Sequence, residues 1–164
     1  HPDEVACKEL WMKAFGDDEQ FADSFIMRYY SRRRMLTAEA EGRMAAMLHL
    51  LPFRTELGRT TYIYGVATDP AFRGRGLASQ LMREAMRLIA ERGDDAALLI
   101  PTPGKEWLRE FYGRFGFAGD VPARFVSADR FDFGTGDAAA DRAMVWRRDS
   151  SVPLPEQLTA SWHS

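Results

Sequence analysis

The first thirty residues have the hydrophobic spacing of two amphipathic helices. Over residues 4–15, apolar side chains such as Leu10 and Ala14 lie four positions apart, so they share one face of a helix. A glycine then ends this pattern. Asp17 is the predicted N-cap of a second helix, and Gln20 is its predicted capping-box partner. A helix pair is therefore expected in this part of the chain.

Strand-like patterns follow the two helices. Residues 34–41 and 43–51 flank a Glu-Gly pair, which predicts a β-hairpin, and Pro52 is expected to end it. Residues 54–60 have no clear pattern and are expected to form a loop. Residues 61–68 are rich in aromatic and β-branched side chains, so they are predicted to form the next strand.

The middle of the chain predicts a helix, a buried strand and another helix. Apolar residues recur on one helical face from Leu77 to Ile89, and Gly93 is expected to end that helix. Residues 96–100 are short and continuously apolar, as in a strand that is covered on both faces. Residues 105–115 return to helical spacing.

The last third of the chain has a weaker pattern. Strands are expected from residue 117 onward and over residues 143–148, and residues 149–164 are expected to form an extended tail. A length of 164 residues is close to that of one domain, and no repeat or break in composition divides the chain. We therefore predict a single domain over residues 1–164, with a core over residues 1–148.

Composition and charge exclude several classes of protein. Hydrophobic residues make up 46% of the chain and charged residues 28%, which is typical of a folded globular protein. The formal net charge of -2 provides no overall attraction for nucleic acid or an anionic membrane, and no apolar run is long enough to span a bilayer. We expect neither nucleic acid nor membrane as a partner.

The cysteine and histidine content also limits the chemistry. A single cysteine excludes an intramolecular disulfide and fits a reducing cytoplasm, which is the expected location. Three widely separated histidines have no zinc-ligand spacing, so no metal site is expected. The first residue is His1 and not methionine, which predicts that further residues precede it.

A glycine-rich segment lies between the strand over residues 61–68 and the helix that starts near Leu77. It reads Arg73-Gly74-Arg75-Gly76. Glycines allow a tight turn and a close approach of backbone N–H groups to a ligand, and the N-terminus of a helix attracts anions. The segment lacks the Gly-Lys-Ser/Thr of a nucleoside-triphosphate loop and the third glycine of a dinucleotide fingerprint. It fits a pyrophosphate site, although an ordinary strand-to-helix turn with two exposed arginines has the same pattern.

This segment resembles the phosphate-binding motif of the GNAT acetyltransferase superfamily, Arg/Gln-x-x-Gly-x-Gly/Ala. Arg73, Gly76 and Ala78 match its three fixed positions. Downstream, residues 111–117 are similar to the Phe-Tyr-x-x-x-Gly-Phe segment of the same family. The two motifs occur in the family's order and at a typical spacing. The resemblance is strong over residues 61–117 and fades after residue 120.

The resemblance implies a fold and an activity. The fold is an α/β arrangement of the α+β type, with a mixed, mostly antiparallel sheet flanked by helices and two neighbouring parallel strands that splay apart. The activity is acetyl transfer from acetyl-coenzyme A, which is a cosubstrate, to an amine. The acceptor is a small-molecule or peptide amine of unknown identity. The family's dimers also allow a homodimer here.

The resemblance also assigns roles to residues. Tyr112 is the implied catalytic acid, which protonates the leaving thiolate. The implied cofactor-binding residues supply backbone groups for the pantetheine, the acetyl carbonyl and the pyrophosphate; they are Val66, Ala67, Arg73, Gly74, Arg75, Gly76, Leu77 and Ala78.

The general base and the acceptor site are left open by the sequence. Several relatives carry a glutamate early in the central strand, where this chain has no carboxylate. The candidates for that role are a water relay and the side chains of His49, Glu56, Tyr62 and Tyr64. The candidate acceptor-site residues are Tyr29, His49, Tyr62 and Tyr64. His49 lies among apolar neighbours and is equally well explained as a structural histidine. The missing carboxylate keeps one alternative open, an acyl-coenzyme A-binding module without turnover.

Overall fold

The structure is a computed structural model, and it describes residues 2–163. Four α-helices, seven strands and three short 3-10 helices occur within these residues. In chain order, the α-helices and strands are α1 Pro2–Phe15, α2 Glu19–Tyr29, β1 Met35–Ala40, β2 Arg43–Thr55, β3 Gly58–Thr68, α3 Leu77–Arg92, β4 Ala96–Leu99, α4 Trp107–Gly113, β5 Ala118–Val126, β6 Arg142–Arg147 and β7 Leu158–Trp162. The 3-10 helices are Arg32–Arg34, Pro70–Phe72 and Ala138–Ala140.

The seven strands form one mixed sheet in the order β1-β2-β3-β4-β6-β5-β7. The pairs β3–β4 and β5–β7 are parallel, whereas β1–β2, β4–β6, β5–β6 and β2–β7 are antiparallel. The parallel ladder between β3 and β4 runs only from Thr60↔Ala96 to Tyr62↔Leu98, and β3 continues to Thr68 without β4. The predicted fold class, including two parallel strands that part, is confirmed.

The first of two compact units comprises residues up to 50 and residues 64–85. Its core lies under α1, whose buried face consists of Cys7, Leu10 and Trp11. The Trp11 ring stacks on Phe25 of α2, with centroids 4.8 Å apart, and lies 5.5 Å from Tyr64 of β3. Large aromatic side chains therefore pack against one another in the core of this unit.

The second unit comprises residues 51–63 and 86–163. All four residues of β4 are buried, as its continuous apolar run predicts. Phe53 of β2 contacts Phe133 at 5.3 Å and Trp162 of β7 at 5.5 Å, and these rings form an aromatic core. Strand β7 pairs with both β5 and β2, so it joins the last strand pair of the sheet to the end of β2.

The loop predicted over residues 54–60 is wrong, and so is the end of the hairpin at Pro52. Strand β2 continues through Pro52 to Thr55, and β3 already begins at Gly58. A proline removes only the N–H from a ladder, and the carbonyl of Pro52 still accepts a hydrogen bond from His163 N–H at 3.0 Å. The turn between the strands is stabilised by a 2.8 Å hydrogen bond between the Thr55 and Thr60 hydroxyls.

The predicted N-cap of α2 is also one residue off. Asp18 is the N-cap, and its carboxylate accepts the N–H of Phe21 at 2.7 Å. Asp17 instead accepts a hydrogen bond from the indole N–H of Trp11 at 2.9 Å. Adjacent aspartates are equivalent in a propensity argument, and the tertiary contact of Trp11 decides between them.

The C-terminal segment contains a strand that the sequence pattern did not predict. Leu158–Trp162 forms β7 and pairs in parallel with β5. Both carboxylate oxygens of Glu56 accept the backbone N–H of Thr159, at 2.8 and 3.1 Å, so this carboxylate holds the start of the strand. Helix α4 is shorter than the predicted residues 105–115. None of the helices in residues 2–163 is long and apolar enough to cross a membrane.

Candidate active site

The glycine-rich loop starts from a fixed point at the end of β3. The Asp69 carboxylate accepts the N–H of Ala71 at 2.9 Å, and its carbonyl accepts the N–H of Phe72 at 2.8 Å. The ammonium group of Lys13 on α1 lies 3.3 Å from the same carboxylate. The Ala71 N–H and the Lys13 ammonium hold the pKa of Asp69 below its usual range. Asp69 is therefore an ionised cap that sets where the loop begins.

Two glycines give this loop its shape. Gly74 has φ +80° and Gly76 has φ +75°, a region that side chains with a Cβ rarely adopt. A Cβ placed at either position would meet no atom of the described chain within 4 Å. The space beside both glycines is open, so a ligand can approach the backbone there.

The N-terminus of α3 presents unused hydrogen-bond donors. The first hydrogen bond of the helix runs from Gln80 N–H to the Gly76 carbonyl at 3.0 Å. The N–H groups of residues 76–79 therefore have no acceptor within the helix. The helix has 16 residues, and its aligned peptide dipoles add a partial positive charge at this end. This arrangement can bind an anion such as a phosphate.

Arginine side chains border the loop. Arg73 is exposed, and the Arg75 guanidinium lies 4.9 Å from the centre of the Phe72 ring and 4.0 Å from the Glu41 carboxylate. The guanidinium of Arg43 also lies 4.9 Å from the centre of the same ring. Sequence reasoning missed Arg43, because it is 29 positions before Phe72 at the start of β2 and belongs to no motif.

The strand that carries Val66 and Ala67 contains a local break in its backbone. Gly65 has φ +64°, and its missing side chain leaves room for the Trp11 ring, 2.8 Å from an ideal Cβ. A left-handed residue inside a strand turns the following N–H and C=O groups out of the regular alternation. Val66 and Ala67, the residues predicted to orient the acetyl group, follow this break directly.

Tyr112 lies on α4 in the second unit and is only 7% exposed. Its backbone carbonyl accepts the N–H groups of Phe115 at 3.0 Å and Phe117 at 3.4 Å, and its ring contacts Phe111 edge-on at 5.1 Å. Burial raises the pKa of the hydroxyl to about 12. The group is therefore a protonated hydrogen-bond donor at physiological pH, and its proposed role as an acid stays a prediction.

Three of the four candidate acceptor-site residues meet in one buried cluster in the first unit. The ring of Phe25 lies 6.4 Å from Tyr29, 5.4 Å from Tyr64 and 5.0 Å from His49. Tyr62 is separate, in the second unit, where its hydroxyl donates to the carbonyl of Phe133 at 2.7 Å. All four are buried, so their role toward an acceptor stays a prediction.

The surroundings of His49 favour a structural role for this histidine over a role as general base, the two alternatives that the sequence left open. The ring is fully buried, and its Nε2 lies 3.8 Å from the Cys7 thiol. Burial, with the nearby charge of Arg34, lowers the pKa of His49 to about 3, and burial raises the pKa of Cys7 to about 12. Both groups are neutral between pH 5 and 8.

This buried histidine predicts a pH dependence of stability. The pKa of His49 is about 3 in the fold and about 6.5 in the unfolded chain, so the unfolded state binds more protons below pH 6.5. The free energy of unfolding is expected to fall by up to about 1.4 kcal/mol per pH unit as the pH drops from 6.5 toward 5. Urea unfolding at several pH values measures this slope.

Two histidine variants test whether His49 causes the slope. His49→Gln should make the free energy of unfolding less dependent on pH, whereas the matched change His163→Gln, in the exposed C-terminal segment, should not. Equal slopes in both variants would contradict the assignment of the pH dependence to His49.

Residues 2–163 contain no group of three or more His, Cys, Asp or Glu side chains placed to hold a metal ion. The first unit thus contains the backbone anion loop and the interrupted strand, and the second unit contains the buried Tyr112.

Comparisons with known proteins agree with this geometry. No curated protein matches the chain. Among solved structures, a GNAT family N-acetyltransferase (YhbS) from Escherichia coli in complex with CoA has a TM-score of 0.68 and 18% identity, covering 99% of this chain and 86% of its own. A GNAT family acetyltransferase from Brucella melitensis in complex with acetyl-CoA has a TM-score of 0.63 and 16% identity, covering 99% and 91%. A ribosomal-protein alanine N-acetyltransferase from Escherichia coli has a TM-score of 0.59 and 15% identity, covering 93% and 94%.

These identities show a shared fold, and the family model goes further. Residues 2–119 match the model of the acetyltransferase (GNAT) domain. The match includes the loop after β3, the interrupted strand and Tyr112. The chain belongs to the GNAT family of acetyltransferases and is an acyltransferase.

Proposed function

We propose that this enzyme transfers the acetyl group of acetyl-coenzyme A to a primary amine by direct attack. The single observation that carries the proposal is the anion loop, where the N–H groups of residues 76–79 have no acceptor within the helix and the space beside Gly74 and Gly76 is open. The solved structures from Escherichia coli and Brucella melitensis, which contain CoA and acetyl-CoA, support the same ligand here.

The loop fits a pyrophosphate because its donors are backbone groups that need no rearrangement. The N–H groups at the start of α3 and the helix dipole together favour a negative charge. Arg73 and Arg75 add positive charge at the rim, where their contribution is screened by solvent. Backbone groups of Val66 and Ala67, after the break at Gly65, hold the pantetheine and polarise the acetyl carbonyl.

The transfer exchanges an acyl group and a proton. The amine nitrogen attacks the thioester carbonyl and forms the C–N bond, the C–S bond breaks, the nitrogen gives up one proton to solvent or a base, and the thiolate takes up one proton. A backbone N–H aimed at the carbonyl oxygen stabilises the charge that develops there, and removing one such donor typically costs about 3 kcal/mol of barrier. Tyr112 donates the proton or a strong hydrogen bond to the leaving sulfur.

The acidity of Tyr112 decides how this donation works. The pKa of the hydroxyl is about 12, whereas a thiol in water has a pKa of about 8.5. With these pKa values, full transfer of the proton from the Tyr112 hydroxyl to the thiolate is unfavourable. Desolvation raises the pKa of a thiol as it raises that of a phenol. In a water-poor site the pKa of the leaving thiol therefore comes closer to that of Tyr112. We infer that Tyr112 acts mainly as a hydrogen-bond donor that strengthens as the thiolate forms.

The route is direct and needs no acyl-enzyme. Cys7, the one cysteine, is fully buried, and burial raises the pKa of its thiol to about 12. A thiol in that state is a poor nucleophile. The acceptor is a small-molecule or peptide amine, a range that includes the protein alanine named for the Escherichia coli structure.

A thiol-release assay tests the proposal. Acetyl-coenzyme A is incubated with the enzyme and a panel of primary amines, and free coenzyme A is measured together with the mass of each amine. Amine-dependent thiol release with an acetylated product is expected. Tight binding of acetyl-coenzyme A without turnover of any amine would instead favour the non-catalytic binding module.

A further inference from the structure

The second unit contains a groove that none of the residues of the glycine-rich loop lines. It runs beside β5 and the segment that leads to β6, and its volume is about 720 Å³. That size is typical of small-molecule sites. The sequence pattern did not reveal it, because residues 127–141 have no regular spacing and become neighbours of Gln157 only in the fold.

The positive charges of the groove are unused. Arg124 and Arg130 line it, are exposed, and have no ion-pair partner within the described residues 2–163. Arg130 has φ +57°, a left-handed conformation that costs free energy for a residue with a Cβ. Two unpaired guanidinium groups at one concave surface favour a carboxylate, which guanidinium binds in a planar fork.

The negative charges differ in availability. Asp141 is 9% exposed, and one of its oxygens accepts both the N–H and the hydroxyl of Thr135, at 2.7 and 2.8 Å. Asp132 is exposed and uses one oxygen for the N–H of Gly134 at 2.9 Å. The carboxylate of Asp141 therefore fixes the position of Thr135, whereas the second oxygen of Asp132 is open to a cation.

Three phenylalanines also line the groove. Phe131 lies 4.8 Å from Phe133, and Phe125 lies 6.2 Å from Phe133. Phe131 and Phe133 are buried, whereas Phe125 is half-buried. Phe133 lies fully buried behind the other two rings, so a ligand ring can pack only on Phe125 and on the 8% of Phe131 that is exposed.

We propose that this groove binds a zwitterion of the aromatic amino-acid type, with its carboxylate on Arg124 and Arg130, its ammonium on Asp132 and its ring on Phe125 and Phe131. The three chemical parts of the lining then each have a partner. Such a ligand carries a primary amine, but its binding is a separate claim from acetyl transfer and is tested without acetyl-coenzyme A.

Isothermal titration with three related probes tests the proposal. The probes are L-phenylalanine, phenylpropionate without the ammonium, and phenethylamine without the carboxylate. The wild-type protein is expected to bind one phenylalanine, and about tenfold more weakly each of the two analogues. No binding of phenylalanine at millimolar concentration, or equal affinity for phenylpropionate, would overturn the proposal.

Paired variants locate the site. Arg124→Gln with Arg130→Gln should weaken phenylalanine about tenfold or more and leave phenethylamine unchanged, since that probe lacks the carboxylate. Asp132→Asn should weaken phenylalanine and leave phenylpropionate unchanged. The control Arg83→Gln with Arg92→Gln removes the same charge from exposed positions of α3 and should change nothing. Equal weakening in the control would show a general charge effect and overturn the assignment.

Discussion

Replacing Tyr112 by phenylalanine is expected to lower kcat for acetyl transfer by about 10²- to 10³-fold and to change the affinity for acetyl-coenzyme A by less than about twofold. The change removes one oxygen and keeps the ring that packs edge-on against Phe111 at 5.1 Å. The backbone bonds from Phe115 and Phe117 to the carbonyl of residue 112 are also kept. The loss is therefore confined to the donor for the leaving sulfur.

Steady-state kinetics and a binding titration measure the two quantities separately. A fall in kcat at constant affinity indicates an interaction made in the transition state. Because burial raises the pKa of Tyr112 to about 12, ionisation of this group should cause no loss of wild-type activity up to about pH 10. A decrease in kcat of less than about threefold in Tyr112→Phe would contradict the role given to the hydroxyl.

Gly65→Ala is expected to destabilise the protein by about 3 kcal/mol and to lower acetyl transfer. The backbone at Gly65 has φ +64°, which alone costs an L-residue about 1–2 kcal/mol. The added Cβ would also lie 2.8 Å from the ring of Trp11 and 3.1 Å from that of His49. Both rings are buried, so either they or the strand must shift, and the groups of Val66 and Ala67 shift with it.

Gly93→Ala is the matched control for backbone strain. Gly93 has φ +76°, and a Cβ there would meet nothing within 4 Å. Only the strain of about 1–2 kcal/mol is expected, and catalysis should be unaffected. Thermal unfolding and the thiol-release assay compare the variants. Equal loss of stability and activity in both would contradict the close packing of Trp11 against the interrupted strand.

Local signals in the chain were sufficient for much of the fold. Helix α3 begins at Leu77 and ends before Gly93, where the apolar stripe and the glycine predicted its limits. Gly76 and Gly116 are left-handed, with φ +75° and +93°, as their places beside helices require. These features depend on neighbours in the chain, which a pattern of spacing can detect.

Features that depend on distant contacts were missed for a physical reason. Pro52 stays within β2 because strand pairing continues past it. Strand β7 exists because β5, β2 and the Glu56 carboxylate supply its partners from positions about 30 to 110 residues earlier. Arg43 meets Phe72 across the first unit. No period in the sequence encodes such pairs.

The candidate site also has features that the sequence predicts and features that depend on distant contacts. The anion loop was predictable, because its glycines and the helix behind it are consecutive. The burial of His49 and the aromatic cluster around Phe25 were not predictable, since the cluster combines two side chains of α2 with one of β2 and one of β3.

The claim that acetyl-coenzyme A binds at the loop before α3 is tested most directly by its effect on thermal unfolding. Ligand at 100 times its dissociation constant should stabilise the wild-type protein by about 2.7 kcal/mol and raise Tm by about 5–10 °C. Gly76→Glu places a carboxylate beside the N–H groups that would hold the pyrophosphate, and it should abolish the shift. Gly93→Glu has the same strain, with φ +76° against +75°, and lies at the other end of the helix, so it should keep the shift in full. A Tm increase in the wild type and Gly93→Glu but not in Gly76→Glu is the predicted result; an equal increase in all three, or none in the wild type at millimolar ligand, would contradict the account.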